Sequence, residues 1–363
     1  MQLGIIGLPR SGKTTIFNAV TRGSAKVGAY STQPNVGVVT VPDERVDRLA
    51  EIYRPKKKTY ATIEYVDFPA AGESFGKGEG VAGKFLNELQ RMDALIHVVR
   101  AFQDDAVPHP EGSVDPHRDI QLMDLELAFA DLGLIERRLS RMETEMRSMK
   151  AGERTALQPL HDLLARMKAG LEAEKPIRAQ GLSPDDWRLL EGSRFLTAVP
   201  LLIILNIGED DLPRRQAIEE EFRARYAGDS CDVAAMGGKF EMELNELSDD
   251  EAAEFREATG ITESGMAEAI RLSYRLLGLV SFLTVGPDEC RAWPIPRGST
   301  APQAAGKIHT DLQRGFIRAE VVRYEDLIAC GSEAEARAKG LMRTEGKEYV
   351  VQDGDVLHIL FNV

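Results

Sequence analysis

The chain has 363 residues, 43% apolar and 28% charged, which is the balance of a globular protein long enough for two or three domains. No apolar run approaches the ~20 residues that span a bilayer, the opening MQLGIIGLPR enters a strand pattern without a basic leader, and a cytoplasmic protein without membrane partners is expected. Three widely separated cysteines (Cys231, Cys290, Cys330) argue against a disulfide framework or a zinc cluster, and a net charge of −13 argues against a dedicated DNA binder.

In chain order, residues 2–7 are a short apolar run, followed by a glycine-rich loop and a helix pattern from Thr14 to Thr21. Residues 36–41 and 61–66 read as strands by their β-branched content, and 94–100 and 199–205 as buried strands. Strands alternating with helices imply an α/β class with a mostly parallel sheet covered on both faces. The long interval between the last two strands is helical. Leu125, Ala128, Leu132, Ile135, Leu139, Met142, Met146 and Met149 step by three and four, and Leu157, Leu160, Leu164, Met167 and Leu171 repeat that spacing beyond a turn-like 150–154. Two antiparallel helices zipped into an inserted coiled-coil arm over 124–198 fit this pattern; the alternative is two amphipathic helices lying on the sheet. The nucleotide-binding domain is then 1–123 with 199–279. Beyond 280 the pattern changes to short strands and helices, ending in 348–351 and 356–361. The Gln352-Asp353-Gly354-Asp355 stretch between them is a hairpin signal. Residues 280–363 therefore read as a small α+β module.

Gly7-Leu8-Pro9-Arg10-Ser11-Gly12-Lys13-Thr14 matches G-x-x-x-x-G-K-[ST] in full, between a strand and a helix. Such a loop wraps phosphates with its N–H groups. The residues Pro9, Arg10, Ser11, Gly12, Lys13, Thr14 and Thr15 are expected to bind nucleotide, with the Lys13 charge on the β/γ phosphates. The Thr14 hydroxyl is positioned to ligate Mg2+. Asp67, ending a strand-like run, and Thr32, in a switch-like Ser-Thr-Gln-Pro-Asn segment, are the further candidate metal ligands. The alternatives are a capping Asp67 and a turn hydroxyl at Thr32. The basic run Arg54, Lys56, Lys57 and Lys58 reads as solvated loop or as an RNA contact.

Several stretches carry a family resemblance: GLPRSGKTTIFNAVT, QPNVGVVTVPDERVDRLAEI, GKGEGVAGKFL, HVVRAF, EGSVDPHRDI, RAWPIPRGSTAPQAAGKIHTDLQRGFIRAEV and YVVQDGDVLHILFNV. From 1 to 363 the chain resembles the YchF group of Obg-related P-loop proteins, also called Obg-like ATPases. The resemblance implies a Ras-like G domain, an inserted coiled coil and a C-terminal TGS module of the β-grasp type. It also implies ribosome association. Ordinary GTPases read guanine with N-K-x-D. Here Asn206-Ile207-Gly208-Glu209 ends a strand, and the similar N-x-x-E of the family implies acceptance of ATP, often over GTP. An Asn amide has the donor–acceptor pair that suits adenine; Asn206, Ile207 and Glu209 are the candidate base contacts.

Four departures from the family pattern stand out. Ala70 replaces the glycine whose N–H meets the γ-phosphate, Arg10 replaces the usual Asn, Ser11 replaces Val, and 233–241 resembles the base loop with three residues added. Ala71, where Ras-like enzymes carry a water-orienting Gln, has no polar group. The family's suggested substitute is a loop histidine, and His109, flanked by prolines, occupies the matching place. His109 and Lys13 are therefore the candidate catalytic residues, against a solvated loop histidine as the plain alternative. The reading is a slow ATP-hydrolysing, ribosome-associated switch. A GTP-specific enzyme and a catalytically silent nucleotide-binding scaffold are its rivals.

Overall fold

A computed structural model describes residues 1–23, 34–68, 83–258 and 264–362. Thr32, Ala70, Ala71 and the glycines at 78–80 lie outside the described residues. The chain divides into two compact units: Met1–Gly37 with Glu64–Leu276, and Val38–Ile63 with Leu277–Val363. Residues 38–63, placed by sequence in the nucleotide domain, thus cluster with the C-terminal segment.

The first unit is organised by β1 (Gln2–Ile6), β2 (Asn35–Thr40), β4 (Thr62–Asp67), β5 (Ala94–Ala101), β6 (Leu201–Ile207) and β7 (Cys231–Met236), in the order β2-β4-β1-β5-β6-β7. The pairs β1–β4, β1–β5, β5–β6 and β6–β7 are parallel. Parallel strands are covered on both faces, which is why β5 and β6 are apolar almost without alternation. The register sets Asn206 of β6 beside Arg100 of β5 and Met236 of β7. Three functional strand ends therefore share one edge. The helices α1 (Lys13–Thr21), α7 (Arg215–Tyr226), α8 (Gly238–Leu244), α9 (Asp249–Ala258) and α10 (Gly265–Leu276) lie over the sheet, and α3 (Gly83–Leu89) precedes β5.

The long insertion is α4 (Pro116–Ser148) and α5 (Ala151–Glu172), with a short α6 (Pro184–Leu189) after them. Ala128, Ile135 and Met142 of α4 belong to one core cluster with Leu163, Leu164, Met167 and Leu171 of α5, and Leu132, Leu139, Leu157 and Leu160 are partly buried against it. α4 starts eight residues before the expected arm. Asp115 caps it, accepting from Arg118 N at 3.1 Å, and Pro116 takes the first turn where no N–H is needed. Ile120, Met123 and Leu127 belong to the core of the sheet instead. One helix therefore serves both alternatives, lying on the sheet first and joining α5 afterwards. No helix among the described residues is long and apolar enough to cross a membrane.

The second unit holds the sheet β11-β10-β12-β8-β9-β3, formed by β8 (Leu279–Thr284), β9 (Glu289–Pro296), β10 (Phe316–Arg323), β11 (Arg343–Glu345), β12 (Asp355–Phe361) and β3 (Lys57–Thr59). The expected terminal hairpin does not form. β12 pairs antiparallel with β10 and parallel with β8, while Val350 makes only an isolated bridge to Thr300. The turn at 352–354 instead places Asp353, whose Oδ1 accepts from Ser281 N at 2.8 Å. β3, unforeseen from sequence, pairs parallel with β9. The lysines in and just before it are ion-paired: Lys56 with Asp288 at 2.8 Å, Lys57 with Glu289 at 3.8 Å and Lys58 with Asp47 at 2.6 Å. Asp47 belongs to α2 (Glu44–Tyr53), whose Arg45 also reaches Asp353 at 2.8 Å. Lys56, Lys57 and Lys58 of the basic run therefore each have an acidic neighbour while staying exposed.

Candidate nucleotide-binding site

The phosphate loop joins β1 to α1 and is shaped by close approach. Gly7 has φ 155°, and a Cβ there would lie 2.4 Å from the Val98 carbonyl oxygen of β5. Gly12 has φ 92°, and its Cβ would lie 2.2 Å from Asn206 Nδ2. Only glycine meets both the angle and the space. Gly12 caps α1, whose first turn carries no acidic side chain, so its free N–H groups and dipole favour an anion there. Pro9 and Thr15 are half-buried on the loop and in that first turn, and Ser11 is buried.

Lys13 is only 8% exposed, and its Nζ donates to the Gly7 and Leu8 carbonyls at 3.1 and 3.0 Å. Burial pushes its ammonium down to about 8, partly countered by the Asp67 carboxylate. The charge is held inside the loop by two weak neutral acceptors, an arrangement that a phosphate oxygen improves on.

Thr14 Oγ1 donates to Asp67 Oδ2 at 3.0 Å, and Asn35 Nδ2 donates to the same oxygen at 3.3 Å. Asp67 is fully buried, and its Oδ1 has no hydrogen-bond partner among the described residues. Burial raises its carboxyl above the usual range, opposed by Thr14, Asn35 and Lys13. Magnesium takes hard oxygen donors, and an unpartnered buried carboxylate oxygen beside a threonine hydroxyl is a site that such a cation completes. The residues present fit the ion.

At the far end of β6, Asn206 is 4% exposed; its Nδ2 donates to the Ser11 carbonyl at 3.0 Å and its Oδ1 accepts from Gly238 N at 3.1 Å. The amide therefore ties the phosphate loop to the start of α8, and its donor–acceptor pair is engaged by backbone where the sequence reading had offered it to adenine. Ile207 is buried and Glu209 exposed, opening a 3-10 turn over Glu209–Arg214. Nearby, Glu241 of α8 accepts from Gly265 N at 2.7 Å and Ser264 Oγ at 2.9 Å, holding α8 to the start of α10.

His109 lies on the loop after β5. Arg100, 2% exposed, closes that loop by donating to the carbonyls of Phe102, Asp104 and Val107 at 3.1, 3.3 and 2.8 Å. Arg10, at φ 64°, donates from Nη1 to the Pro108 carbonyl at 3.0 Å and so joins the His109 loop to the phosphate loop. The His109 ring is not solvated: its side chain is 3% exposed, its Nδ1 accepts from Glu111 N at 3.1 Å, and its Nε2 lies 2.9 Å from Asp119 Oδ2.

Two family models match the chain: YchF-GTPase_C, described as a protein of unknown function (DUF933), over residues 279–362, and MMR_HSR1, described as a 50S ribosome-binding GTPase, over residues 2–128. The ribosome-binding ATPase YchF of Bacillus subtilis (strain 168) is 42% identical over 365 residues, 99% of each chain. The chain belongs to the YchF family. Its counterpart in Escherichia coli O157:H7, also named ribosome-binding ATPase YchF, is 39% identical over 99% of each chain. The solved Schizosaccharomyces pombe YchF GTPase superposes with a TM-score of 0.86 at 33% identity, covering 99% of this chain and 97% of that one.

Within this YchF fold the phosphate loop, Thr14 and Asp67 lie together, Asn206 joins them through the Ser11 and Gly238 backbone and not as the base contact expected from sequence, and Arg10 adds the His109 loop. Three residues were missed: Asn35 on Asp67, Arg100 under the His109 loop, and Asp119 on His109. Their only signal was membership of the stretches QPNVG, HVVRAF and EGSVDPHRDI.

Proposed function

We propose that the chain binds ATP with Mg2+ in the 7–14 loop and hydrolyses it slowly, as a ribosome-associated switch of the cytoplasm. The observation that carries this reading is the junction of Lys13, Thr14 and Asp67 at one strand end, with a carboxylate oxygen left for a cation. The backbone of Pro9 to Thr15 wraps the phosphates, and Lys13 leaves the Gly7 and Leu8 carbonyls for them. Thr14 and Asp67 hold magnesium, with Thr32 as the further ligand; the ion screens charge on the β and γ phosphates when bound. Ile207 and Glu209 border the base, while Asn206 braces the loop that holds the phosphates. His109 orients the attacking water, because Ala71 offers no polar group. A G domain (1–123 and 199–279, less 38–63, which cluster with the C-terminal segment), an arm (124–198) and a TGS module (280–363) supply the switch and its docking parts. The names carried by the relatives support ATP turnover and ribosome binding.

A GTP-using enzyme remains the second reading, favoured by one observation: the Asn206 amide is engaged by backbone and so contributes less to adenine preference. Competition between ATP and GTP separates the two. ATP binding at least as tight as GTP, magnesium-dependent phosphate release, and co-sedimentation with ribosomes are expected. Asp67→Asn is expected to lose at least tenfold of the magnesium enhancement of binding. Strong preference for GTP overturns the base assignment, and tight binding with no phosphate release overturns the hydrolase.

A further inference from the structure

The His109 ring is held by two unlike contacts. On one side Nδ1 accepts the Glu111 N–H from an exposed turn, closed by Gly112 N to His109 O at 3.0 Å with Gly112 at φ 81°. On the other side Nε2 meets Asp119, whose side chain is 2% exposed. A nitrogen that accepts an N–H carries no proton, so in a neutral ring the proton is on Nε2 and is donated to Asp119 Oδ2. The Asp119 carboxylate is itself immobilised. Its Oδ1 accepts from Arg118 Nε and Nη2 at 3.1 and 2.8 Å, and Arg118 is anchored on the Ser113 hydroxyl and carbonyl at 3.1 and 2.6 Å. Asp119 also stands in the first turn of α4, where the helix dipole favours a negative charge.

We propose that Asp119 is the positioning residue for His109, fixing the tautomer that leaves Nδ1 as the face presented to water. This rests on the reading of His109 as the group that handles the attacking water. The exposed Glu111 N–H is the contact that gives way; the buried Asp119 contact stays. Water then hands a proton to Nδ1 while its oxygen bonds to the γ-phosphorus. The bond from that phosphorus to the β–γ bridging oxygen breaks, and ADP leaves with the electron pair. The imidazolium keeps its Nε2–H on the Asp119 carboxylate, which stabilises the positive ring, and the Nδ1 proton afterwards passes to the phosphate released. The arrangement follows the logic of a carboxylate that orients a catalytic histidine without itself taking the proton.

The test is a double-mutant cycle on the full chain, read by single-turnover ATP hydrolysis. Asp119→Asn is expected to slow hydrolysis at least tenfold with ATP affinity within threefold of wild type. The same change made in His109→Ala is expected to add less than a further twofold, because Asp119 acts through the ring. Asp119→Glu, which keeps the charge, is expected to lie between wild type and Asp119→Asn, and it supplies the measurement if the amide variant does not fold. Nitrogen NMR of the His109 ring is expected to show the Nε2-protonated tautomer in wild type and its loss in Asp119→Asn. If His109→Ala is slow while Asp119→Asn keeps wild-type rate and tautomer, the Asp119 proposal is overturned and the His109 reading stands. Equal slowing by Asp119→Asn in both backgrounds assigns Asp119 to the fold and overturns the proposal as well. An unchanged rate in His109→Ala overturns the His109 reading itself.

Discussion

Asn206 Nδ2 donates to the Ser11 carbonyl at 3.0 Å, so the end of β6 is fastened to the middle of the phosphate loop. The same side chain receives Gly238 N, and both bonds are buried. Losing a buried hydrogen bond costs about 1 kcal/mol, and more where the partner is left unsatisfied. Asn206→Ala is therefore expected to destabilise the fold by roughly 2 kcal/mol and to weaken ATP and GTP alike. Calorimetry with both nucleotides decides the matter: an unchanged ATP/GTP ratio marks bracing, whereas a changed ratio marks base reading.

Lys13 sets a pH dependence. Its ammonium titrates near 8 in the folded chain against an ordinary 10.5. The unfolded chain therefore holds the proton more tightly, and stability without nucleotide rises as pH climbs from about 8 to 10.5, by up to roughly 3 kcal/mol. Triphosphate affinity moves the other way. Above 8, binding must take up the proton that Lys13 has lost, so affinity falls by up to about tenfold per pH unit. Calorimetry at pH 9 in two buffers of different ionisation enthalpy should register nearly one proton taken up, against almost none at pH 7; equal uptake at both refutes the assignment.

Arg10 occupies a left-handed backbone position at φ 64°, where Asn is tolerated and other non-glycine residues are strained. Arg10→Asn and Arg10→Ala both remove the bond to Pro108, but only Asn relieves the backbone. The Asn variant is expected to exceed the Ala variant in stability by about 1 kcal/mol in urea unfolding. Equal midpoints would show that the angle carries no strain.

Deleting 280–363 is expected to do more than remove a docking module. It takes away β9, the partner of β3, and Asp353, the partner of Arg45. Val46 and Leu49 of α2, both buried, lose the unit in which they are packed. Hydrogen exchange in the truncated protein should become fast across α2 and β3, residues 44–59, while protection in β1, β5 and β6 persists. Retained protection at 44–59 would show that this segment folds without the C-terminal strands.

What the sequence by itself determined was local and periodic. The phosphate loop was legible because one spacing of two glycines, a lysine and a threonine between a strand and a helix has few other uses. The paired helices of the insertion were legible because apolar residues at steps of three and four mark the face that each helix buries. Asp67 stood out as the polar end of a strand-like run, and Asn206 as the polar residue closing the apolar run 201–205. The tertiary structure decided whatever depended on pairing between distant segments. Whether an Asn amide is free for a base or engaged by a carbonyl is a matter of register between β6 and the loop, and no local pattern reports it. The hairpin signal at 352–355 was a true turn, but β12 found β10 and β8 as neighbours, since ladder partners are chosen by the whole core. β3 joined the C-terminal sheet for the same reason: it is a three-residue edge strand of lysines and threonine, with no hydrophobic pattern to announce it, paired with β9 and with its lysines beside Asp47 and Glu289. His109 could be named from its place in the sequence, but its tautomer is written by Glu111 and Asp119 only once α4 has folded against the loop.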